Sequence, residues 1–275
     1  MVTDGQIGQL TERDFKTIVA LIFSHAGISL ADSKKHFVCN RLSSRLRERK
    51  LSSFHDYIQL LKHKQSAELV YFINELTTNL TSFFREPYHF DLLAEHINRH
   101  LLVKSKTEPL KIWCSACSTG EEAYSIAMTM MEVFGSATPP VKILATDLNT
   151  QVLATARKGS YSPDQLSKLS AIQRKKFFTA NVSNSQYDIK PEVKALVRFK
   201  QLNLVSQHWP MTKMFDVIFC RNVMIYFDKP TQKKLLQRFA SYLPSGSLLF
   251  LGHSESVSSL QNDFKLISQT MYKRM

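Results

Sequence analysis

Apolar positions in the first part of the chain recur at helical spacing. In residues 11–26, Phe15, Ile18, Val19 and Ile22 fall on one face, Thr11 stands where a capping hydroxyl is needed with Asp14 three residues on, and Gly27 supplies a stop. A second helix is predicted over about 33–50, with Val38, Leu42 and Leu46 as its apolar face. Two more amphipathic helices are predicted near 53–64 and 66–78. Residues 1–75 therefore read as a small all-helical domain, and 76–275 as a second, larger one. From about 110 the rhythm changes. LKIWCSAC, VKILATD, FDVIFC and GSLLFLG are short, strongly apolar runs, separated by helical segments such as EEAYSIAMTMMEVF and KPTQKKLLQRFASYL. Strands alternating with helices predict an α/β fold with a mostly parallel sheet covered on both faces. The closing FKLISQTMYKRM reads as a strand pair at the sheet edge.

Residues 157–200 interrupt this alternation. They hold ten Lys/Arg against three acids, Asp164, Asp188 and Glu192. The part from about 177 to 200, with Val197 and Phe199 alternating, reads as short β-segments of a surface insert. The whole chain carries a net charge of +13, which favours an anionic partner without choosing among nucleic acid, membrane surface and acidic protein. Within the second helix, Lys34, Arg41, Arg45 and Arg49 fall on one stripe; taken alone it is either a solvated face or a docking face. No apolar stretch is long enough to span a bilayer, no signal peptide is visible at the start, and Cys39, Cys114, Cys117 and Cys220 read as reduced thiols. A cytoplasmic location is expected.

Three strand ends carry candidate chemistry. The first run, Ser115 to Glu122, closes a strand and opens a helix, and ligands of open α/β sheets bind beyond such strand ends. Its single glycine, Gly120, is expected to let backbone approach a ligand, but the dinucleotide fingerprint of three glycines is absent. Glu121 and Glu122 at the helix start disfavour a pyrophosphate and suit a ligand with hydroxyls, an amine and a sulfonium. Asp147 ends the next strand, placed either to accept from ribose hydroxyls or to cap a helix. Cys220-Arg221-Asn222 follows a third strand, where Asn222 can meet the amino-acid part of a ligand and Tyr226 a cation. Ordinary loop packing is the alternative. The pair Cys114 and Cys117 also allows a thioredoxin-like redox reading, which leaves Asp147 and the third strand end unexplained. No metal site is expected.

Taken together these strings resemble the CheR family of chemoreceptor glutamate methyltransferases. The likeness runs through Thr78-Asn79-Leu80-Thr81-Ser82-Phe83-Phe84-Arg85-Glu86, Ser118 to Ser125, Ala145-Thr146-Asp147, Asn203-Leu204, Phe219 to Phe227 and Gly252-His253-Ser254-Glu255. It implies a small helical domain followed by a Rossmann-like S-adenosylmethionine-dependent methyltransferase domain with a β-subdomain insert. By motif position it implies that Asn79, Thr81, Arg85, Glu122, Asp147, Asn203, Leu204, Cys220, Arg221 and Asn222 hold S-adenosylmethionine, with Arg85 and Tyr226 near the transferred methyl. S-adenosylhomocysteine is the implied product, and the implied partners are the methylation helices of chemoreceptors, within receptor arrays. Lys34, Arg41, Arg45 and Arg49 then become candidate receptor contacts. The chain departs from the family at Ala123, where proline is frequent, and at Cys114 and Cys117.

The chemistry needs little apparatus. A glutamate ionises at a pKa of about 4.3, so the substrate arrives as its own nucleophile and no general base is required. Alignment can supply up to roughly 7–11 kcal/mol. Two rivals compete with this reading. A nucleic-acid methyltransferase suits the charge but lacks the Asn/Asp-Pro-Pro-Tyr/Phe motif, since Cys220-Arg221-Asn222-Val223 stands there. A non-catalytic sensor of the methyl donor leaves Arg85 and Tyr226 without a purpose. Family members that dock a C-terminal receptor peptide on the insert use a glycine-containing loop, and here no glycine lies between Gly159 and Gly246. A monomer that works without that tether is expected.

Overall fold

The structure is a computed structural model that describes residues 8–63, 67–256 and 263–275. The chain divides into two compact units, Met1–Thr78 with Tyr226–Thr231, and Asn79–Ile225 with Gln232–Met275.

The first unit is helical. In α1 (Glu12–Ala26) the Thr11 hydroxyl accepts the Asp14 amide at 3.1 Å and Gly27 ends the helix in the left-handed conformation at φ 69°. A short 3₁₀ turn at Asp32–Lys34 leads into α2 (Lys35–Glu48), whose Val38, Leu42 and Leu46 are buried as the spacing predicts. Ser53 caps α3 (Phe54–Lys62), and α4 (Glu68–Leu76) follows; Lys64 and Ser66, at the predicted helix edges, lie outside the described residues. Among the described residues, strand-like pairing enters the unit once, where Ile28 bridges Phe227.

The basic stripe of α2 is not one surface. Arg45 is buried, and its guanidinium grips the carboxylate of Glu68 on α4 through Nε and through Nη2 at 2.8 Å. It also pairs with Glu48 and lies 3.9 Å over the Tyr71 ring. Arg49 donates to the same Glu68 at 2.6 Å, and Tyr57 at 3.1 Å. The reason is angular. Arg45 lies beside the buried Val38 at the edge of the apolar stripe, two turns further along, and the buried Glu68 requires a countercharge there. Burial raises the Glu68 carboxyl, but hydrogen bonds from Arg45, Arg49 and Tyr57 outweigh it and hold the group below the usual range. Lys34 and Arg41 remain exposed.

The second unit starts with α5 (Tyr88–His96), which runs through a π-helical turn at Ile97–Leu101 into α6 (Leu102–Ser105). Then come β1 (Leu110–Cys114), α7 (Glu121–Phe134), β2 (Val141–Asp147) and α8 (Thr150–Lys158). A small excursion follows: β3 (Ser160–Tyr161), α9 (Ala171–Phe177), β4 (Phe178–Asn181), β5 (Gln186–Ile189) and α10 (Pro191–Ala195). The chain returns through β6 (Val197–Gln201), β7 (Val217–Cys220), α11 (Lys229–Ser241), β8 (Leu248–Leu251), β9 (Phe264–Ser268) and β10 (Met271–Arg274). Among the described residues, seven strands form one sheet in the order β6-β2-β1-β7-β8-β10-β9. Its first five members are parallel, while β10 and β9 close the far edge antiparallel. Every residue of β7 and β8 is buried, as strands covered on both faces must be, and Phe219 stacks on Phe250 at 4.4 Å. The unit is Rossmann-like, with its pivot at β1: β2 lies on one side and β7 on the other.

The insert differs from its sequence reading. Its three-stranded antiparallel sheet, β3-β5-β4, begins at Ser160 rather than 177, and β6 belongs to the central sheet, paired parallel to β2. The alternation at Val197 and Phe199 is that of an edge strand with one face covered, which sequence periodicity cannot distinguish from an insert strand. The β4–β5 turn dispenses with glycine. Ser185 takes the left-handed conformation at φ 54°, and Asn184 and Asn181 hydrogen-bond within the hairpin.

Candidate functional site

The carboxyl ends of β2, β1 and β7 lie side by side, and their loops are stitched together. The Ser115 amide donates to the Phe219 carbonyl and the Cys117 amide to the Thr146 carbonyl, each at 2.8 Å. Asp147 accepts the Ser118 amide at 2.8 Å on one oxygen and the Asn149 amide at 2.9 Å on the other. The cap of α8 is Asn149, whose side chain accepts from Gln151 and Val152, so the capping alternative for Asp147 falls away. Burial pushes this carboxyl up against the pull of the backbone amides of Asn149, Ser118 and Leu148. Hydroxyl donors would relieve that burial.

Gly120 serves packing. It has φ 101°, and a Cβ there would stand 2.9 Å from the Ala156 Cβ and 3.0 Å from the Tyr161 hydroxyl. Close packing against Ala156 and Tyr161 is thus a second reason for glycine here, beside the expected approach of a ligand. Glu121 turns inward to Thr119 and Gln165, whereas Glu122 meets Arg221 at 3.0 Å and the Cys114 thiol at 3.2 Å. Cys114 and Cys117 are buried free thiols, both pushed well up by burial. Redox-active thiols need the opposite shift, so the redox alternative fails.

The loop from Asn79 to Pro87 lies against these strand ends. Ser118 donates to the Asn79 carbonyl at 2.9 Å, and the Phe84 amide donates to Ser125 at 3.0 Å. Thr81 and Arg85 are half-buried, and Arg85 donates to the Leu80 carbonyl at 2.8 Å. Beyond β6, the Asn203 side chain accepts the Val205 amide at 3.1 Å; Leu204 is buried, with its carbonyl accepting from Trp209. Cys220 is fully buried at the end of β7 and its thiol is raised by burial. Arg221 is buried too. Its guanidinium reaches Glu122, Glu86 at 3.3 Å and the Arg85 carbonyl, while its Nε has no partner among the described residues. It ties the start of α7 to the loop of residues 79–87. Tyr226 belongs to the first unit, where its carbonyl accepts the Ser29 amide at 2.8 Å.

Two residues of the site had no assigned role in the sequence. Glu255 is buried and its carboxylate accepts the amides of Gly252, Asn222 and Met224 at 2.6, 2.9 and 2.8 Å. This clamp fixes Asn222 at φ 57°. Glu86, also left-handed at φ 55°, receives Arg221, Asn222 and His253. Burial opposes its ionisation, but the Arg221 charge and the His253 and Asn222 bonds hold it at about 2. Both residues stood inside motif strings, so a signal existed without a stated function. Phe84, Glu86, Ser118 and Asn222 are all non-glycine residues with positive φ, and such strain concentrates at functional sites.

The result is a crevice rich in carboxylates on a chain of net charge +13. Asp147 and Glu122 are shifted up by burial, and a cation with hydroxyl groups is the ligand that such a donor set fits. The pivot of a doubly wound sheet with an acid ending its second strand defines a nucleoside-binding α/β domain.

Comparison with known proteins makes the class specific. Residues 79–273 match the family model for the CheR methyltransferase, SAM binding domain, and residues 13–77 match that for the CheR methyltransferase, all-alpha domain. The chain is 44% identical over 266 residues to the chemotaxis protein methyltransferase of Klebsiella aerogenes, covering 96% of this chain and 90% of that one. It is 44% identical over 264 residues to chemotaxis protein methyltransferase 2 of Pseudomonas aeruginosa, covering 95% and 93%. Identity to the Escherichia coli chemotaxis protein methyltransferase is 43% over 266 residues, covering 96% and 91%. The chain belongs to the CheR methyltransferase family, as its motifs led us to expect.

Proposed function

We propose that the protein methylates glutamate side chains of chemoreceptors, with S-adenosylmethionine as donor and S-adenosylhomocysteine as product. The observation that carries this reading is the crevice at the sheet pivot, whose buried carboxylates suit a sulfonium-bearing nucleoside. Bound there, S-adenosylmethionine supplies an electrophilic methyl group. Asp147 is the residue for the ribose hydroxyls, and Glu122 and Asn222 are those for the ligand's amino-acid part. Asn79, Thr81, Asn203, Leu204 and Cys220 enter by motif position. Arg221 acts mainly by fixing Glu122 and the backbone of Arg85. Arg85 orients the incoming carboxylate through charge-assisted hydrogen bonds, and Tyr226 shares that role on the strength of its motif alone. The attacking carboxylate oxygen gains the methyl as the carbon–sulfur bond breaks, and no proton moves.

Receptor contact is assigned to the exposed Lys34 and Arg41, with Arg49 contributing only what its pairing with Glu68 leaves. Arg45 is withdrawn from that list, because its charge is committed inside the helical unit. The glycine-free turn of the insert supports methylation without a C-terminal receptor tether, by a monomeric cytoplasmic enzyme working at receptor arrays. The test is turnover of labelled donor with receptor-bearing membranes, followed by mild alkali. Label released as methanol identifies a carboxylate ester; alkali-stable label, or label on nucleic acid, refutes the assignment. Receptors truncated at the C-terminus test tether independence in the same assay.

A further inference from the structure

A second cavity, of about 470 Å³, opens at the amino ends of the strands, at the opposite end of the sheet from the candidate site. It is bordered by the segments that lead into β7 and β8, by β10, and by the π-helical turn between α5 and α6. Four side chains that carry or can carry positive charge line it: His96, His100, Lys104 and Lys273. Its single acid, Asp216, is already committed, accepting Lys104 at 2.6 Å on one oxygen and the Lys111 amide at 2.8 Å on the other. Lys104 also pairs with Glu108, and Arg99 on the same turn pairs with Glu95. None of the ion pairs among the described residues involves Lys273, His96 or His100. The His96 and His100 rings lie 4.9 Å apart.

The backbone gives an independent sign. π-Helical turns are rare, poorer in hydrogen-bond geometry than an α-helix, and frequent at functional sites. Here the turn begins immediately after His96 and contains His100, so it sets both rings on the pocket wall. Two imidazoles and an unpaired lysine side by side repel one another once protonated. The crowding is visible in His96, which burial, then His100 and Lys273, hold down at about 4. Such a cluster awaits an anion. The lining also includes Leu101, Pro244 and Ile267, which can cover an apolar ring, and the cavity has the size of a small-molecule site.

We propose that this pocket binds a phosphate-bearing small molecule, with the phosphate among Lys273, His96 and His100 and the remainder of the ligand against Leu101 and Ile267. The charged and titratable groups that line the pocket are His96, His100, Lys104, Lys273 and Asp216, the last held by Lys104, which also pairs with Glu108.

The test is calorimetry on the full chain saturated with S-adenosylhomocysteine, which keeps nucleotides out of the other crevice. Pyrophosphate, adenosine monophosphate and adenosine are titrated separately. Pyrophosphate and the monophosphate should bind, and adenosine should not. Lys273→Gln and the exposed His100→Gln should each abolish the heat, with melting temperature and donor binding unchanged. The proposal is overturned if neither phosphate compound binds at millimolar concentration, if adenosine binds as well as the monophosphate, or if binding survives both substitutions in folded protein.

Discussion

Each of the two units is built around a buried arginine, and the two arginines meet opposite balances of charge. In the helical unit, two cations, Arg45 and Arg49, converge on the buried carboxylate of Glu68, with Tyr57 adding a neutral donor and the exposed Glu48 taking a further bond from Arg45. In the sheet unit, one cation, Arg221, is shared between Glu86 and Glu122 and keeps an unpartnered Nε. The first arrangement saturates its acid and asks for nothing more. The second leaves more acids than cations in a crevice that also holds Asp147, and burial raises both Glu122 and Asp147. Similar residue types thus make a structural rivet in one place and a binding site in the other. What decides is the ratio of charges and whether the donors are used up.

Removing the rivet should have the largest effect. Glu68→Ala leaves Arg45 buried without its main partner, and such a loss costs about 3–5 kcal/mol. A chemical melt should register that loss, while donor affinity of the folded fraction stays near wild type. A small change in the melt would mean that Arg45 relaxes to solvent and that the contrast is false.

Acid should separate the two units next. His89 is fully buried in the sheet unit and, chiefly through burial, is held at about 4 against an ordinary 6.5. A depressed histidine contributes stability that is present above pH 6.5 and is lost as pH falls toward 4, up to roughly 3 kcal/mol. Glu68, itself depressed from 4.5, contributes above that value and is lost only in stronger acid. Circular dichroism in the aromatic range and intrinsic fluorescence should therefore report the sheet unit loosening first, since both tryptophans, Trp113 and Trp209, lie there. His89→Gln should delay that change. Simultaneous acid loss of helical and tryptophan signals, unaltered by the substitution, would refute it.

Changing the crevice itself should touch binding more than folding. Asp147→Ala should weaken S-adenosylmethionine by roughly 1–3 kcal/mol, the cost of leaving buried partners unpaired. Calorimetry on folded protein with unchanged affinity would remove Asp147 from the site. Arg85→Ala should instead depress turnover at saturating donor far more than donor affinity, and Lys should rescue it poorly because it lacks the planar fork.

The smallest effect belongs to the exposed part of the basic helix. Lys34→Glu with Arg41→Glu should raise the receptor KM several-fold, since exposed pairs contribute about 0–1 kcal/mol each. The difference from wild type should shrink as salt rises. Normal receptor methylation by the double variant at low salt would make this face ordinary solvated surface.

The sequence by itself determined the helices of the first unit, the apolar runs that became β1, β2, β7 and β8 with the helices between them, the three strand ends that build the crevice and the acid that closes β2. These follow from periodicity, capping and apolar runs, which are local. The motif strings carried the family. Four things were decided only by the tertiary structure. Arg45 turned inward because Glu68, 23 residues away, needed a partner. Gly120 proved indispensable to packing because Ala156 and Tyr161 approach it. The segment at Val197 joined the central sheet because β2 offered an open edge. Arg221 became a strut between loops because Glu86 and Glu122 arrive from distant parts of the chain. Each depends on a neighbour supplied by chain closure, and periodicity reports only which face a residue occupies, never what the fold brings against it.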